Sequence, residues 1–372
     1  MNTDIVIIGA GAAGLIAARE LAKAGKKIII LEAKDRIGGR IFPLDENEFG
    51  YQAQGGAEFT HGEASVTKSL IREAGLTYIS MPSDGEMWFF DGQELKKGYL
   101  INEDPEFLKH KDEIGKRLRE LDKDTPISIF LNKFFSDEKY EKLRNLINSI
   151  VKGFDAADPD KISTFSLWEE WLGQGEWKQG RVKEGYGAMI NFLESECKKY
   201  GVEIVLNKEV KSVEIDGESI NVKCSDDSIY NGQKVVITIS LPLIKQIQFQ
   251  PAIPEKIKAV DNVGFGQVIK FLIRFKNQWW LDALDKDMSK MVFMLCVGEI
   301  SAWWTQYPEQ YPVFTGWIAG PNAERLKSKS PEEVLNLGLA SLSNIFKVKE
   351  EEIREKVVAY QIINWPADPF VR

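Results

Sequence analysis

The chain has 372 residues, of which 44% are apolar and 28% charged, values typical of a globular protein long enough for two domains. Its 48 basic and 56 acidic residues give a net charge of -8, which argues against nucleic acid as a partner. Three widely spaced cysteines and two histidines disfavour a disulfide framework, a metal site and a Ser-His-Asp triad. Any enzymatic activity is therefore expected to depend on a cofactor.

The beginning of the chain, MNTDIVIIGAG, enters a predicted strand at once. It lacks the basic and apolar regions of a signal peptide. The sequence contains no run of about 18 apolar residues, the pattern that predicts a membrane-spanning helix. We therefore expect a cytoplasmic protein without a membrane segment.

Residues 4–32 predict a strand, a helix and a second strand. DIVIIGA is a strand of the buried type, GLIAARELAKAG has helical apolar spacing closed by Gly25, and KKIIILE is a second strand. This βαβ unit predicts an α/β fold with a Rossmann-like nucleotide-binding domain.

A glycine-rich turn, GAGAAG, joins the first strand to the helix and fits GxGxxG. Gly9 permits the tight turn, Gly11 lets the backbone approach a pyrophosphate, and Gly14 lets the helix pack on the strand. The helix N-terminus then offers free N–H groups to phosphates, and Glu32 can accept ribose hydroxyls. The motif alone could be a plain glycine-rich loop, but its context predicts dinucleotide binding. The candidate contacts are Gly9, Gly11, Ala12, Ala13, Gly14, Glu32 and Ala33.

The later elements alternate between helical and strand-rich regions. Helices are predicted at 63–75, 105–122, 136–154 and 330–346. Strands are predicted at 202–207, 209–215, 219–224, 234–240, 268–275, 291–297, 300–306 and 312–320, with turns at Asp216-Gly217 and Asn231-Gly232. The pattern predicts an FAD- or NAD-binding domain at 1–80 and 182–262. An interleaved α+β substrate domain would have its helical part at 81–181 and its strand-rich part at 263–372.

The stretch LEAKDRIGGR decides between the two dinucleotides. Gly38 and Gly39 allow close backbone approach, and Arg40 could meet the pyrophosphate from the far side, with Arg36 nearby. The alternative is a surface turn with solvated arginines. A nicotinamide dehydrogenase has no evident use for this extension, so FAD is favoured.

With these motifs the sequence resembles the flavin-dependent amine oxidases, of the monoamine oxidase, polyamine oxidase and histone demethylase type. LEAKDRIGGRI is similar to their second signature, and QGGAEFTHG at 54–62 resembles the segment that they pass along the flavin ring. VKEGYGAMINFL and the block from KVVITIS to GFGQVIKFLIRF also resemble the family, whereas 81–181 matches loosely. The resemblance implies noncovalent FAD with contacts at Gly55, Gly56, Ala57, Glu58, Phe59 and Val210. Without the family, the glycine pair would be a turn and Val210 an ordinary strand residue.

The candidate catalytic residue is Lys270, in GFGQVIKFLIRF. On periodicity alone it would lie on a half-exposed strand face, shared with Val268, Leu272 and Arg274. The resembling family places at this position a lysine that holds a water beside flavin N5. The resemblance therefore implies that Lys270 orients a water for imine hydrolysis or for the reaction of reduced flavin with dioxygen, and it need not be a base.

Six tryptophans could line a substrate cavity, since aromatic faces attract amines, or could pack in the core. They are Trp279, Trp280, Trp303, Trp304, Trp317 and Trp365. Only Trp365 is implied by the resemblance, because W-x-x-D-P has the form of a family motif near the flavin. His61 is expected to be a loop residue, although some polyamine oxidases have a histidine there.

The resemblance implies an FAD-dependent amine oxidase. A small-molecule amine would pass a hydride from its α-carbon to flavin N5, the imine would hydrolyse, and dioxygen would reoxidise the flavin to give hydrogen peroxide. One alternative is a desaturase or porphyrinogen-type oxidase of the same fold, against which Lys270 argues. Another is a catalytically silent flavoprotein that binds partners.

The chain ends on NWPADPFVR. In the resembling family this stretch leads to a last FAD-binding segment made of a strand, a glycine-rich turn and a helix. No substitute for that segment occurs upstream. We therefore expect a C-terminally truncated form with reduced FAD affinity, whose activity is a separate question.

Overall fold

The computed structural model describes residues 3–98, 104–172 and 179–371, and its strands form three sheets. The strands are β1 (Thr3–Ile8), β2 (Ile28–Leu31), β3 (Phe59–His61), β4 (Tyr78–Ser80), β5 (Glu86–Phe90), β6 (Leu95–Lys97), β7 (Gln179–Val182), β8 (Glu203–Val205), β9 (Val210–Asp216), β10 (Ser219–Cys224), β11 (Ile229–Ile237), β12 (Gln248–Gln250), β13 (Val268–Phe275), β14 (Met291–Cys296), β15 (Ala302–Trp304), β16 (Val313–Ala319) and β17 (Val357–Asn364). The helices are α1 (Ala12–Lys23), α2 (Glu46–Phe49), α3 (Ser65–Glu73), α4 (Pro105–Arg119), α5 (Ile127–Phe134), α6 (Glu141–Gly153), α7 (Thr164–Leu172), α8 (Gly185–Lys199), α9 (Leu241–Ile244), α10 (Pro254–Asp261), α11 (Pro321–Leu326), α12 (Pro331–Phe346) and α13 (Glu350–Arg354).

The first sheet has the strand order β12-β9-β10-β11-β1-β2-β8, and β11, β1, β2 and β8 pair in parallel. Strand β2 is buried on both faces, which explains its continuous apolar run. Helices α1 and α8 cover one face, where Leu15 and Leu193 pack against Ile7 and Ile30. This is the Rossmann-like βαβ arrangement that the first 32 residues predict.

One predicted turn of this sheet is wrong. Asn231 and Gly232 lie inside β11, where Gly232 pairs with both Thr3 and Ile220. The hairpin reverses earlier, at Asp226-Asp227, where Asp227 has a φ of 63° and Asp226 accepts hydrogen bonds from Ser228. Pairing on both edges outweighs the local turn preference of Asn-Gly. The other predicted turn lies at Gly217, which has a φ of 61°.

The second sheet has the order β17-β13-β16-β15-β14-β5-β6. One face of β13 packs on α12 through Phe271 and its neighbours. Residues 42–53 cover its other face, where Phe49 and Ala53 pack on Leu272. The half-exposed face expected for β13 from periodicity is therefore wrong at Lys270, which is 1% exposed. Residues far away in the sequence supply the covering layer.

The 81–181 piece is only partly helical. Helices α4 to α7 pack around their own apolar cluster, which includes Phe107, Phe130 and Trp171. Strands β5 and β6, which the sequence patterns do not predict, lie in the same piece and extend the second sheet beyond β14. Strand β7 joins β3 and β4 in a three-stranded sheet. The assignment of chain segments to two domains stays a prediction.

No helix in the described part of the chain is long and apolar enough to cross a membrane. The cytoplasmic location stays a prediction.

Substituting Phe271 tests the core of the second sheet. Its ring fits over the bare backbones of Gly316 and Gly338 and makes an edge contact with Trp303. We expect Phe271→Ala to lower the free energy of unfolding by about 3–5 kcal/mol because it leaves a cavity. Chemical denaturation measures this, and Phe165→Ala, at a side chain that is 39% exposed, is the matched control. Equal losses in the two variants would contradict this role of Phe271.

Candidate cofactor and active site

A cavity of about 1400 Å³ extends from the first sheet to the second. At one end it is lined by the carboxyl ends of β1, β2 and β11, through Gly9, Glu32 and Thr238. At the other end it is lined by Lys270 on β13 and Trp317 on β16. Ligands of open α/β sheets bind outside the carboxyl ends of the strands, so the first end has the position of a nucleotide site.

The glycine-rich turn has three different backbone environments. Gly9 has a φ of 104°, which favours glycine. A Cβ at Gly14 would lie 2.0 Å from the Gly9 carbonyl oxygen, so α1 approaches the strand as closely as a glycine allows. Gly11 has a φ of -73° and a Cβ there would meet nothing within 4 Å. The space above Gly11 opens into the cavity, beside the uncapped N-terminus of α1.

Glu32 is held in the cavity wall by backbone donors. Its Oε2 accepts the N–H of Ala10 at 2.7 Å and its Oε1 accepts the N–H of Lys34 at 3.0 Å. The carboxylate is 7% exposed and lines the cavity with Ala33. Each carboxylate oxygen retains acceptor capacity that ribose hydroxyls can use.

The LEAKDRIGGR turn divides its predicted residues into two groups. Gly38, Gly39 and Arg40 line the cavity. Arg36 does not; its guanidinium donates to carbonyl oxygens of Ile37, Gly39 and Ile41 within the turn and lies 4.3 Å from the Phe42 ring centroid. Arg36 therefore stabilises the turn, and its assignment as a cofactor contact stays a prediction.

The QGGAEFTHG segment runs along the cavity between the two sheets. Gly56, Ala57, Glu58 and Phe59 line it. Gly55 lies behind them, where a Cβ would be 2.9 Å from Phe42. The predicted cofactor contacts that line the cavity are Gly9, Gly11, Ala12, Ala13, Glu32, Ala33, Gly38, Gly39, Arg40, Gly56, Ala57, Glu58, Phe59, Val210 and Trp365, and those that do not are Gly14, Arg36 and Gly55.

Lys270 belongs to a buried charge cluster. Its Nζ donates to Glu58 Oε2 at 2.8 Å and to the Gly56 carbonyl oxygen at 3.0 Å. Glu58 also accepts from Trp304 Nε1 at 3.1 Å and from Gln306 Nε2 at 2.9 Å. Arg181 Nε lies 3.4 Å from Glu58 Oε1. One carboxylate thus meets two cations and two neutral donors.

Opposing effects act on the pKa values of this cluster. Burial by itself raises the pKa of Glu58, but the charges of Lys270 and Arg181 and the hydrogen bonds outweigh it and hold that pKa below its usual value. Burial lowers the pKa of Lys270, and Glu58 opposes that shift. Burial likewise lowers the pKa of Arg181, with Glu58 and Tyr51 in opposition. Glu58 is therefore ionised, and it favours the charged form of both cations.

Aromatic rings surround the Lys270 end of the cavity. Trp304 lies 5.9 Å from both Phe59 and Trp317, and Phe59 lies 5.3 Å from Phe293, measured between ring centroids. All four line the cavity, as does Trp365. The other tryptophans considered from sequence, Trp279, Trp280 and Trp303, pack in the core of the second sheet. Of the six tryptophans, three therefore line the cavity and three pack in the core.

His61 also lines the cavity, where burial lowers the pKa of its imidazole. Its ring makes an edge contact with Phe154, which also lines the cavity. The expectation of a plain loop residue is wrong at this position, because His61 ends strand β3 and faces the cavity.

Sequence reasoning missed Arg181 and Gln306. Arg181 lies on β7 and Gln306 follows β15, more than 100 residues from Glu58 in each case. No spacing or motif links them to Lys270, because only the packing of three separate segments brings them together.

The end of the described chain closes one side of the cavity. Trp365, in a short 3-10 helix, makes an edge contact with Phe42. Asp368 pairs with Lys34, and Ser240 Oγ donates to the Val371 carbonyl oxygen at 2.5 Å. These contacts hold residues 365–371 against the nucleotide end of the cavity.

The residues at the first end fit a dinucleotide. A turn with open space above Gly11, a helix N-terminus without a side-chain cap and a fixed carboxylate at Glu32 match pyrophosphate and ribose in that order. The cavity then continues past Gly56 to Lys270, where an isoalloxazine ring would extend.

Substituting Gly11 separates cofactor binding from folding. The methyl group of Gly11→Ala meets no protein atom, so we expect the thermal unfolding midpoint of the apoprotein to change little. We expect the Kd for FAD to rise at least about tenfold, since the methyl group occupies the space of the pyrophosphate. Flavin fluorescence titration measures this. Gly264→Ala, also in open space but outside the cavity wall, is the matched control, and an unchanged Kd in Gly11→Ala would contradict the assignment.

Several proteins of known function are similar to this chain in sequence. The chain is 27% identical to the human lysine-specific histone demethylase 2, covering 100% of this chain and 47% of that protein. It is 25% identical to polyamine oxidase 2 of Arabidopsis thaliana, covering 92% of this chain and 72% of that one. The chain therefore spans about half the length of the histone demethylases that it matches.

Solved structures confirm the fold class. Putrescine oxidase bound to putrescine superposes with a TM-score of 0.80 at 20% identity, covering all of this chain and 87% of that one. Cyclohexylamine oxidase from Brevibacterium oxydans gives a TM-score of 0.80 at 19% identity, with 100% and 86% coverage. The model of the family described as flavin containing amine oxidoreductase matches residues 12–372. This match confirms the predicted family and its FAD cofactor, and the chain belongs to the flavin-containing amine oxidoreductases.

Proposed function

We propose that the protein is an FAD-dependent oxidase of small-molecule amines that uses dioxygen as electron acceptor. The observation that carries the proposal is the position of Lys270. This buried lysine faces, among aromatic rings, the same cavity whose other end has the form of a dinucleotide site. The relatives named as histone demethylase, polyamine oxidase and putrescine oxidase support an amine as the substrate class.

The residues of the cavity divide the work of the reaction. The glycine-rich turn and Glu32 would hold the noncovalent dinucleotide, and Phe59, Trp304 and Trp317 would exclude water and orient a neutral amine. When bound, FAD supplies the acceptance of a hydride from the carbon beside the amine nitrogen and the return of two electrons to dioxygen. In total, amine, dioxygen and water give carbonyl compound, ammonia or a smaller amine, and hydrogen peroxide.

Lys270 acts in this proposal as a hydrogen-bond donor and not as the base. Its ion pair with Glu58 favours the protonated form, which has no lone pair to take a proton. An ammonium group at this point can orient a water for imine hydrolysis or provide positive charge where dioxygen is reduced.

Anaerobic absorbance titration of the FAD-loaded protein tests the function directly. We expect the oxidised flavin bands to bleach with at least one member of a panel of primary amines, polyamines and L-amino acids. Hydrogen peroxide release in air then identifies the substrate. Flavin that stays oxidised with every amine would exclude an amine oxidase and leave the silent flavoprotein as the better reading.

Substituting Lys270 tests its role. We expect Lys270→Met to lower the rate of flavin reduction or of reoxidation by at least about 100-fold, a typical loss when one preorganised hydrogen-bond donor is removed. Stopped-flow absorbance measures both rates separately. Lys276→Met, at an exposed lysine just after the same strand, is the matched control. Unchanged rates in Lys270→Met would favour the desaturase or porphyrinogen-type alternative.

A further inference from the structure

The buried cluster around Lys270 contains a carboxylate that a lysine-and-water site does not require. Glu58 is 8% exposed. Its two oxygens accept hydrogen bonds from a lysine, a tryptophan and a glutamine, and an arginine forms an ion pair with one of them. Burying a carboxylate costs free energy unless it is paired, so its presence in the cavity wall calls for a reason.

The geometry at Nζ limits what Lys270 can donate. An ammonium group has three N–H donors. Two are used inside the protein, one by Glu58 Oε2 and one by the Gly56 carbonyl oxygen. Among the described residues no third oxygen or nitrogen acceptor of Lys270 Nζ is found; the group lies 5.2 Å from the ring centroid of Trp304, and both residues line the cavity. The arrangement leaves one N–H for a group in the cavity.

The charge of Lys270, as well as the direction in which it donates, depends on Glu58. The titratable groups that act on Lys270 are Glu58 and Arg181, and Tyr51 acts in turn on that pair. Arg181 disfavours a second positive charge, whereas Glu58 favours it. With Glu58 the three charges sum to +1; without it, two cations would face each other in a desolvated site.

We propose that Glu58 is a positioning residue that keeps Lys270 protonated and aims its one remaining N–H into the cavity. Gln306 and Trp304 orient the carboxylate by donating to opposite oxygens, and Arg181 balances its charge from the third side. This inference rests on the proposed function for its use in amine oxidation, but the protonation of Lys270 can be measured without any amine.

The test is a pH titration of Lys270 in FAD-loaded protein labelled with ¹³C and ¹⁵N in its lysines. NMR follows the side-chain signals, and the signal absent from Lys270→Met identifies this lysine. Glu58→Gln keeps the shape of the side chain and removes its charge. We expect it to lower the pKa of Lys270 by about 1–3 units, because the neutral lysine is favoured once the neighbouring negative charge is gone.

Three further variants make the result decisive. Glu170→Gln removes a carboxylate that lines the same cavity without contact to Lys270, and we expect the Lys270 titration to be unchanged. In Glu58→Gln/Arg181→Met, removal of the opposing cation should recover part of the lost pKa. In Glu58→Asp, which keeps the charge, the pKa of Lys270 should lie nearer to the wild-type value. This variant also serves as the folded form if Glu58→Gln is unstable.

An unchanged Lys270 titration in Glu58→Gln would overturn the proposal, as would equal shifts in Glu58→Gln and Glu170→Gln. A protein that oxidises no amine but shows the expected shift would refute the proposed function and leave the role of Glu58 intact.

Discussion

The ion pair between Glu58 and Lys270 is the contact on which the active end of the cavity depends. Two buried charges are tolerated only because each meets the other and further hydrogen bonds satisfy the remaining groups. Glu58 comes from the loop before β3, Lys270 from β13 and Arg181 from β7, so the pair joins all these elements at one point. Removal of Glu58 would leave Lys270 and Arg181 as two cations without their counter-ion in the interior.

The other end of the cavity depends on a steric constraint. Helix α1 lies so close to β1 that only a hydrogen atom fits at Gly14, and this approach brings the helix N-terminus to the sheet edge. Residues 32–34, 38–41 and 56–59 then line the cavity from the nucleotide end to Lys270, whereas 42–55 do not. A cofactor and a substrate can therefore be held by these three short stretches and the two sheets behind them.

Local sequence patterns predicted most of the elements whose conformation depends on neighbouring residues in the chain. The β1-α1-β2 unit, the paired glycines at Gly38 and Gly39 and the strand at 268–275 were each readable, because apolar period and glycine conformation act over a few residues. The patterns failed where distant pairing prevails. Asn231-Gly232 is drawn into β11 by neighbours on both edges. Strand β5 forms on the edge that β14 offers, and β6 pairs with β5 in turn. The hydrogen bonds of Arg36 to its own turn were also not predicted, and its assignment to the cofactor stays a prediction.

The sequence by itself determined the glycine-rich turn, the acid at Glu32 and, through its resemblance to a family, the FAD cofactor, and it predicted a role for Lys270. These features depend on residues close together in the chain or on motifs that can be recognised in the amino-acid sequence. Only the tertiary structure decided that Lys270 is buried and paired with Glu58, because residues 42–53 cover its strand face and Glu58, Arg181 and Gln306 converge from separate segments. Burial and electrostatics are sums over neighbours in space, and the order of residues along a chain does not state which neighbours those are.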